Sequence, residues 1–441
     1  MSTHSSDTSR SAELFARAQH VLPGGVSRNT VLREPHPAYA DSGAGCRVTD
    51  LDGITRIDFS NNMASLIHGH AYPPIVEAVS EQLRRGSGFM LATECEVAYA
   101  EHLCSRSPSF EKVRFMNSGT EAVMVTIKAS RAFTGRPKIA KVEGAYHGAY
   151  DYAEVSQITN PTVWGDADRP NGVPVAHGTP AAALNDVIIL PFNNTERALE
   201  LLEEHAEELA CVLLDPMPHR VGMNPIEPEF LTAMRDWTKS NGSLLVFDEV
   251  ITYRSDYGGL QMTLGVEPDL TAMGKMIGGG FPVGGVAGRA DVMDLMNPKG
   301  DNYVFPYSGT FSANPISMTA GHIAMRDFDR EAVERLNKLG DRARQGIAEA
   351  AQASGARACV TGTGSILRVH MKESAPRNFR EAYTSPEETA RLKAMLDHLF
   401  SAGMIMINTC TAMLSTPMTE VEIDELVAAV GDGFDKIAKM P

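Results

Sequence analysis

Short apolar runs alternate with amphipathic stretches through the middle of this chain. Residues 113–116, 138–142, 187–190, 211–215 and 244–248 are brief and dominated by Val, Ile, Leu, Phe and Met. Between them, residues 121–133, 195–209 and 230–240 carry apolar side chains at helical spacing. Continuous apolar strands separated by helices predict a parallel sheet covered on both faces.

The flanks follow other patterns. Residues 12–21 space Leu14, Phe15, Ala18 and Val21 as a helix, which Pro23-Gly24-Gly25 ends. Residues 46–49 and 56–59 alternate around Asp52-Gly53, a hairpin signal. Pro73-Pro74 introduces a helix over 75–83. The last third predicts helices at 331–353, 386–402 and 419–437 and strands at 365–371 and 404–407, a smaller α+β unit. Residues 155–182 are rich in Pro, Gly and Asn, and a loop of that length is more often functional than idle. The expected division is an N-terminal segment (1–65) packing with the small domain, a large domain (66–325) and the small C-terminal domain (326–441).

Composition narrows the class. A chain of 441 residues suits two associated domains, and 43 % hydrophobic with 22 % charged residues is globular. The net charge of −15 argues against nucleic acid or an anionic membrane surface as partner, but leaves room for a basic pocket holding a small anion. No apolar run reaches a membrane span, and residues 1–10 are Ser/Thr-rich without an apolar signal core, which reads as a frayed leader. Six cysteines lie scattered without C-x-x-C spacing, as expected of reduced thiols in a cytoplasmic protein with no structural metal.

Several residues could carry chemistry. Asn117-Ser118-Gly119-Thr120-Glu121 joins a strand to a helix, either as an anion cradle or as a simple N-cap. Asp248 ends an apolar strand, where it either meets a cation (a protonated heterocyclic nitrogen, an Arg, a metal) or caps the next segment. Lys275 stands among apolar residues and glycines, so it is either a desolvated nucleophile or a lysine with a buried stem and a free ammonium. Tyr146-His147 follows the 138–142 strand and could stack on a ring or fill the core. Ser308-Gly309-Thr310 is a second small-hydroxyl turn.

In that order the set resembles the pyridoxal-phosphate enzymes of fold type I. It is most similar to class III aminotransferases of the branch holding glutamate-1-semialdehyde aminomutase and β-amino-acid aminotransferases. The matching stretches are Pro23-Gly24-Gly25-Val26, Gly69-His70-Ala71-Tyr72-Pro73, Asn117 to Ala122, Gly144-Ala145-Tyr146-His147-Gly148, Asp248-Glu249-Val250-Ile251-Thr252, Gly274 to Gly280 and Ser308 to Pro315. The resemblance implies a large domain with a mostly parallel seven-stranded sheet and pyridoxal 5′-phosphate as cofactor. It also implies ping-pong transfer of an amino group from an amino acid to a 2-oxo acid, and a homodimer with shared sites. By it, Lys275 carries the cofactor as a Schiff base and moves the proton, and Asp248 pairs with the pyridine nitrogen. Ser118, Gly119 and Thr120 hold the phosphate, Thr310 reaches the partner's phosphate, and Tyr146 and Val250 cover the two ring faces. Arg28, after the Pro-Gly-Gly turn, is expected either to bind the substrate carboxylate or to be a surface arginine, and Arg254 to be structural or to support the site from behind.

Departures bear on the reaction. Asp215-Pro216 stands where many members have Glu-Pro, and the segment from Asp248 to Arg254 has the shorter form seen in β-amino-acid aminotransferases. Residues 408–413 lack the acid that aminomutases carry there. These differences favour an aminotransferase, possibly for a β-amino acid, over glutamate-1-semialdehyde 2,1-aminomutase. The loops at 61–63, 155–179 and 409–413 are expected to form the substrate pocket.

Overall fold

Cys211-Val212-Leu213-Leu214 shows how the central sheet is built: Cys211 and Leu213 join one apolar core, Val212 and Leu214 the other. Successive strand residues point to opposite faces, so only an all-apolar run can bury both sides. The computed structural model describes residues 9–301 and 303–440; most of the expected leader lies outside them. Its strands are β1 Ala40–Ala44, β2 Arg47–Asp50, β3 Thr55–Asp58, β4 Lys112–Met116, β5 Lys138–Val142, β6 Val187–Leu190, β7 Leu209–Leu214, β8 Leu244–Asp248, β9 Leu270–Gly274, β10 Gly284–Gly288, β11 Cys359–Thr361, β12 Ile366–His370, β13 Met404–Ile405 and β14 Thr411–Met413.

The seven-stranded sheet has the order β4-β10-β9-β8-β7-β5-β6. Strands β5 to β9 pair in parallel, and β10 is antiparallel to both of its neighbours. Strand β4 therefore runs in the same direction as β9. The carboxyl ends of β4, β9, β8, β7 and β5 all open on one edge, the place where such sheets bind ligands. The helix Gly119–Thr134 covers one face with Ala122, Val125, Ile127 and Ala129. Thr195–Glu203 and Pro228–Asn241 cover the other with Leu201, Leu202, Phe230 and Met234.

A second sheet, β1-β2-β3-β13, joins the two ends of the chain, with β13 parallel to β3. A third, β11-β12-β14, packs with the long helix Arg330–Ser354 and the final helix Glu420–Ile437 in one core. That last helix begins with a capping box in which Thr419 and Glu422 satisfy each other's backbone N–H groups. Among the described residues no helix is long and apolar enough to cross a membrane.

The expected helix over 195–209 ends at Glu203, because Leu209 is fully buried and already pairs with Lys138 as the first residue of β7. The expected hairpin acquires an extra strand, β1, whose residues are small or polar and mostly exposed and give no apolar alternation. The strand expected at 404–407 shortens to Met404–Ile405.

Candidate active site

The sheet edge gathers groups that lie far apart in sequence. From β4 comes the turn into the helix Gly119–Thr134. Ser118 Oγ accepts from Glu121 N at 3.1 Å, and Glu121 Oε2 accepts from Asn117 N at 2.6 Å. The cap holds the first turn rigidly while the remaining N–H groups point outward, with the positive end of the helix dipole behind them. The approach is close: a Cβ added at Gly119 would lie 2.9 Å from Val250 Cγ1. At Gly148, where φ is +89°, it would lie 2.5 Å from Thr120 Oγ1.

From β8 comes Asp248, 5 % exposed. Its Oδ2 faces His147 Nδ1 at 2.8 Å, and its Oδ1 accepts from Val250 N at 3.1 Å. Facing a carboxylate, Nδ1 of His147 is the donor. Burial holds the His147 imidazole below its ordinary pKa despite the opposing pull of Asp248. Its Nε2 is buried with no hydrogen-bond partner among the described residues.

From β9 comes Lys275, half-buried, with φ at +51°, a left-handed conformation that costs a non-glycine residue about 1–2 kcal/mol. Such strain persists where the surroundings fix a side chain's direction. Burial lowers its ammonium to a pKa of about 8, against the opposing pull of Asp248 and Asp215. About half of such a lysine is therefore the neutral, nucleophilic amine near pH 8. From β7 comes Asp215, buried, accepting from Met217 N at 3.0 Å. Burial, then the charge of Asp248, pushes its carboxyl well above the usual range.

From the turn after β5 comes Tyr146, 37 % exposed. His219 packs edge-on to it at 5.8 Å, and the Arg220 guanidinium lies 5.0 Å from its ring centroid. His219 is held well below its ordinary pKa by burial, then by the charge of Lys275.

The remaining expected residues lie elsewhere. Arg28 is exposed, with Nη1 donating to Asn62 Oδ1 at 2.5 Å. It lines a cleft of about 760 Å³ with Asn62, Met63, Ile407 and Asn408, and none of the sheet-edge groups lines that cleft. Thr310 is exposed on a loop beside the β4 end, where a Cβ at Gly309 would lie 3.5 Å from Asn117 Nδ2. Arg254 is buried, donating through Nε to Ser365 Oγ at 3.0 Å and through Nη2 to Leu414 O. Those partners tie the large sheet's β8 exit to β12 and β14.

His147, His219 and Arg220 escaped or lacked a role in the sequence reading. His147 beside the aromatic gave an ambiguous signal. Only pairing of β5, β7 and β8 side by side reveals that it meets Asp248.

Comparison with known proteins gives a consistent result. Residues 30–437 match the family model for class-III aminotransferases. A glutamate-1-semialdehyde 2,1-aminomutase of Methanothermobacter thermautotrophicus is 41 % identical over 379 residues, 85 % of this chain and 87 % of that protein. An omega-transaminase from Sphaerobacter thermophilus has the same fold with a TM-score of 0.95 at 46 % identity, covering 98 % of this chain and 99 % of that one. The β-phenylalanine aminotransferase of Variovorax paradoxus aligns with a TM-score of 0.87 at 32 % identity, covering 98 % and 94 %.

Proposed function

The chain belongs to the class III aminotransferase family, and on that premise we propose that it transfers an amino group from a carboxylate-bearing amine, in the first instance a β-amino acid, to a 2-oxo acid. It is a pyridoxal 5′-phosphate enzyme, as the family requires. The sheet edge fits that cofactor on three observations. The glycine-lined helix turn leaves room for phosphate but not for a Cβ. A buried carboxylate stands at the β8 end. Lys275 has no ion-pair partner among the described residues and a lowered pKa. When bound, the cofactor supplies an aldehyde carbon that takes up an amino group and a protonated ring that accepts the electron pair left by a departing proton.

The observation that carries the reading is the meeting of Lys275, the His147–Asp248 pair and the helix turn at Ser118 on one sheet edge. In this proposal Ser118, Gly119 and Thr120 bind the phosphate through backbone N–H groups. Asp248, oriented by His147, holds the proton on the ring nitrogen. Tyr146 and Val250 confine the ring from its two faces. Lys275 Nζ would hold the cofactor covalently until the donor's amine displaces it, and the freed amine would then take the proton from the substrate carbon and return it on the cofactor side. Arg28 binds the donor carboxylate from the N-terminal cleft.

The domain division at 65/66 and 325/326 belongs to this proposal, supported by the β3–β13 pairing of the N-terminal segment with the C-terminal unit. So does a homodimer with shared sites. Met90 is fully exposed and Leu91 and Phe311 are 80 % and 68 % exposed, and apolar surface of that kind marks an interface. A cytoplasmic setting is supported by six thiols without a disulfide.

The test is amino transfer itself: candidate donors (β-phenylalanine, 3-aminobutyrate, glutamate, alanine) against pyruvate and 2-oxoglutarate. A second reading, an intramolecular amino shift, is favoured by the 41 % identity to the aminomutase relative. It requires product from glutamate-1-semialdehyde with no 2-oxo acid added, and that result would replace the transaminase reading.

A further inference from the structure

Arg220 lies on the 3-10 turn His219–Val221, at the exit of β7 and five residues after Asp215. It is half-buried, and its guanidinium is 5.0 Å from the Tyr146 ring centroid. Its Nη1 donates to Gln157 O at 3.0 Å. Among the described residues no carboxylate pairs with it, and Nε and Nη2 make no hydrogen bond. Half-burying a guanidinium without a counter-charge is unfavourable, and a surface this acidic offers carboxylates in plenty for pairing.

The neighbours deepen the imbalance. Lys141 is fully buried on β5, and its Nζ donates to two backbone carbonyls, Ala145 O at 2.9 Å and Val155 O at 2.7 Å, with no carboxylate. Its pKa is lowered to about 7 by burial, then by the charge of Arg220, against the opposing pull of Glu154. Arg368 on β12 is buried, donates to His219 O at 2.6 Å, and has no carboxylate partner either. The carboxylates of this edge are otherwise engaged. Asp248 serves His147, and burial drives Asp215 toward its neutral form. On the Tyr146 side of the site Arg220 and Arg368 therefore stand as cations with no paired carboxylate among the described residues.

We propose that Arg220 is a substrate-binding residue that receives the carboxylate of the amino acceptor, a 2-oxo acid, while Arg28 receives that of the donor. The inference rests on the transaminase reading above. In a 2-oxo acid the carboxylate is bonded directly to the reacting carbon; in a β-amino acid one further carbon intervenes. Two carboxylates at different distances from the same reacting position call for two cations, one on each side. A planar guanidinium with Nε and Nη2 uncommitted suits bidentate capture.

The test uses the cofactor-loaded protein as wild type, Arg220→Ala, Arg220→Lys and Arg28→Ala, with two readouts. In the first, the donor half-reaction and the 2-oxo acid half-reaction are followed separately. Arg220→Ala should weaken the 2-oxo acid half-reaction roughly 10–100-fold, the worth of a charge-assisted hydrogen bond, and the donor half-reaction less than about threefold. Arg220→Lys should recover part of the loss, and Arg28→Ala should show the reverse pattern. In the second, glutarate, a dicarboxylate that cannot react, is titrated calorimetrically. Wild type should bind it, and Arg220→Ala should bind about tenfold or more weakly. Equal effects of Arg220→Ala on both half-reactions overturn the assignment. So does glutarate binding that is absent in wild type or unchanged in Arg220→Ala. Absence of amino transfer in the wild type would instead strike the parent reading, and the glutarate titration would still decide the role of Arg220.

Discussion

Replacing Asp248 by Asn removes one negative charge and leaves the shape of the site almost intact. The carboxylate is 5 % exposed and accepts two hydrogen bonds, from His147 Nδ1 at 2.8 Å and Val250 N at 3.1 Å. An amide has one acceptor oxygen, so one of these two donors must face the NH2 group and go unpaired. A buried unpaired donor costs about 1–3 kcal/mol. The larger loss falls on catalysis. A carboxylate facing a protonated ring nitrogen makes a charge-assisted bond worth about 1.5–3 kcal/mol, roughly twice a neutral one. Without the charge the ring sheds its proton and accepts the substrate's electron pair poorly. Together these losses place the half-reaction rate of Asp248→Asn about a hundredfold or more below wild type. The assay is stopped-flow bleaching of the visible cofactor band by a productive donor, with cofactor content and melting temperature measured on the same samples. Reconstitution with a ring-N-methylated cofactor, positively charged whatever residue 248 is, should restore part of the rate. A fully loaded Asp248→Asn protein reacting within about threefold of wild type would refute the assignment of Asp248 to the ring nitrogen.

Three further outcomes are expected. Gly148→Ala places a Cβ 2.5 Å from Thr120 Oγ1 at a φ of +89°, so equilibrium dialysis should show cofactor affinity reduced about tenfold or more, and unchanged affinity would remove the turn from the phosphate site. Cofactor uptake by the apoprotein should accelerate as pH rises toward about 8, where Lys275 gives up its proton, and then level off; a rate flat from pH 6 to 9 would contradict a neutral-amine nucleophile. Lys141 has its pKa lowered to about 7 in the fold from an ordinary 10.5, so the unfolded chain binds the extra proton between these values. Wild type should therefore gain melting temperature relative to Lys141→Met as pH rises from 7 toward 10, and parallel curves would refute that burial cost.

Much of the large sheet was legible because β6, β7 and β8 bury both faces and so read as nearly unbroken apolar runs between helices. Strands β9 and β10 were not, since Gly284, Gly285 and Gly288 let the backbone of β10 pass close against Ser118 and Asp269 and leave few side chains to form a pattern. The helices Glu94–Arg106 and Pro315–Asp327 were also missed; apolar and polar residues are mixed around both, and neither has a strong one-sided stripe. The candidate residues Ser118 and Asp248 announced themselves by standing where predicted strands end, and Lys275 by standing among apolar residues and glycines. Strand order then decides which strand ends become neighbours. It brings Asp215, His147 and Arg220 alongside, and no local pattern encodes it. Arg28 stood out by its place after the Pro-Gly-Gly turn, but its partner Asn62 and the cleft they line come only from the fold.

In the proposed reaction Lys275 bonds the cofactor and works with Asp248 to pass an amino group through it. The most direct measurement is the visible absorption spectrum of the pyridoxal-phosphate-loaded protein, wild type beside Lys275→Ala, titrated first with a donor amine and then with a 2-oxo acid. Wild type should show the band of lysine-bound cofactor, lose it to at least one amine, and regain it on adding the 2-oxo acid. Lys275→Ala should lack the band and sustain no repeated cycles. A Lys275→Ala protein with an unchanged band that cycles repeatedly would contradict the claim.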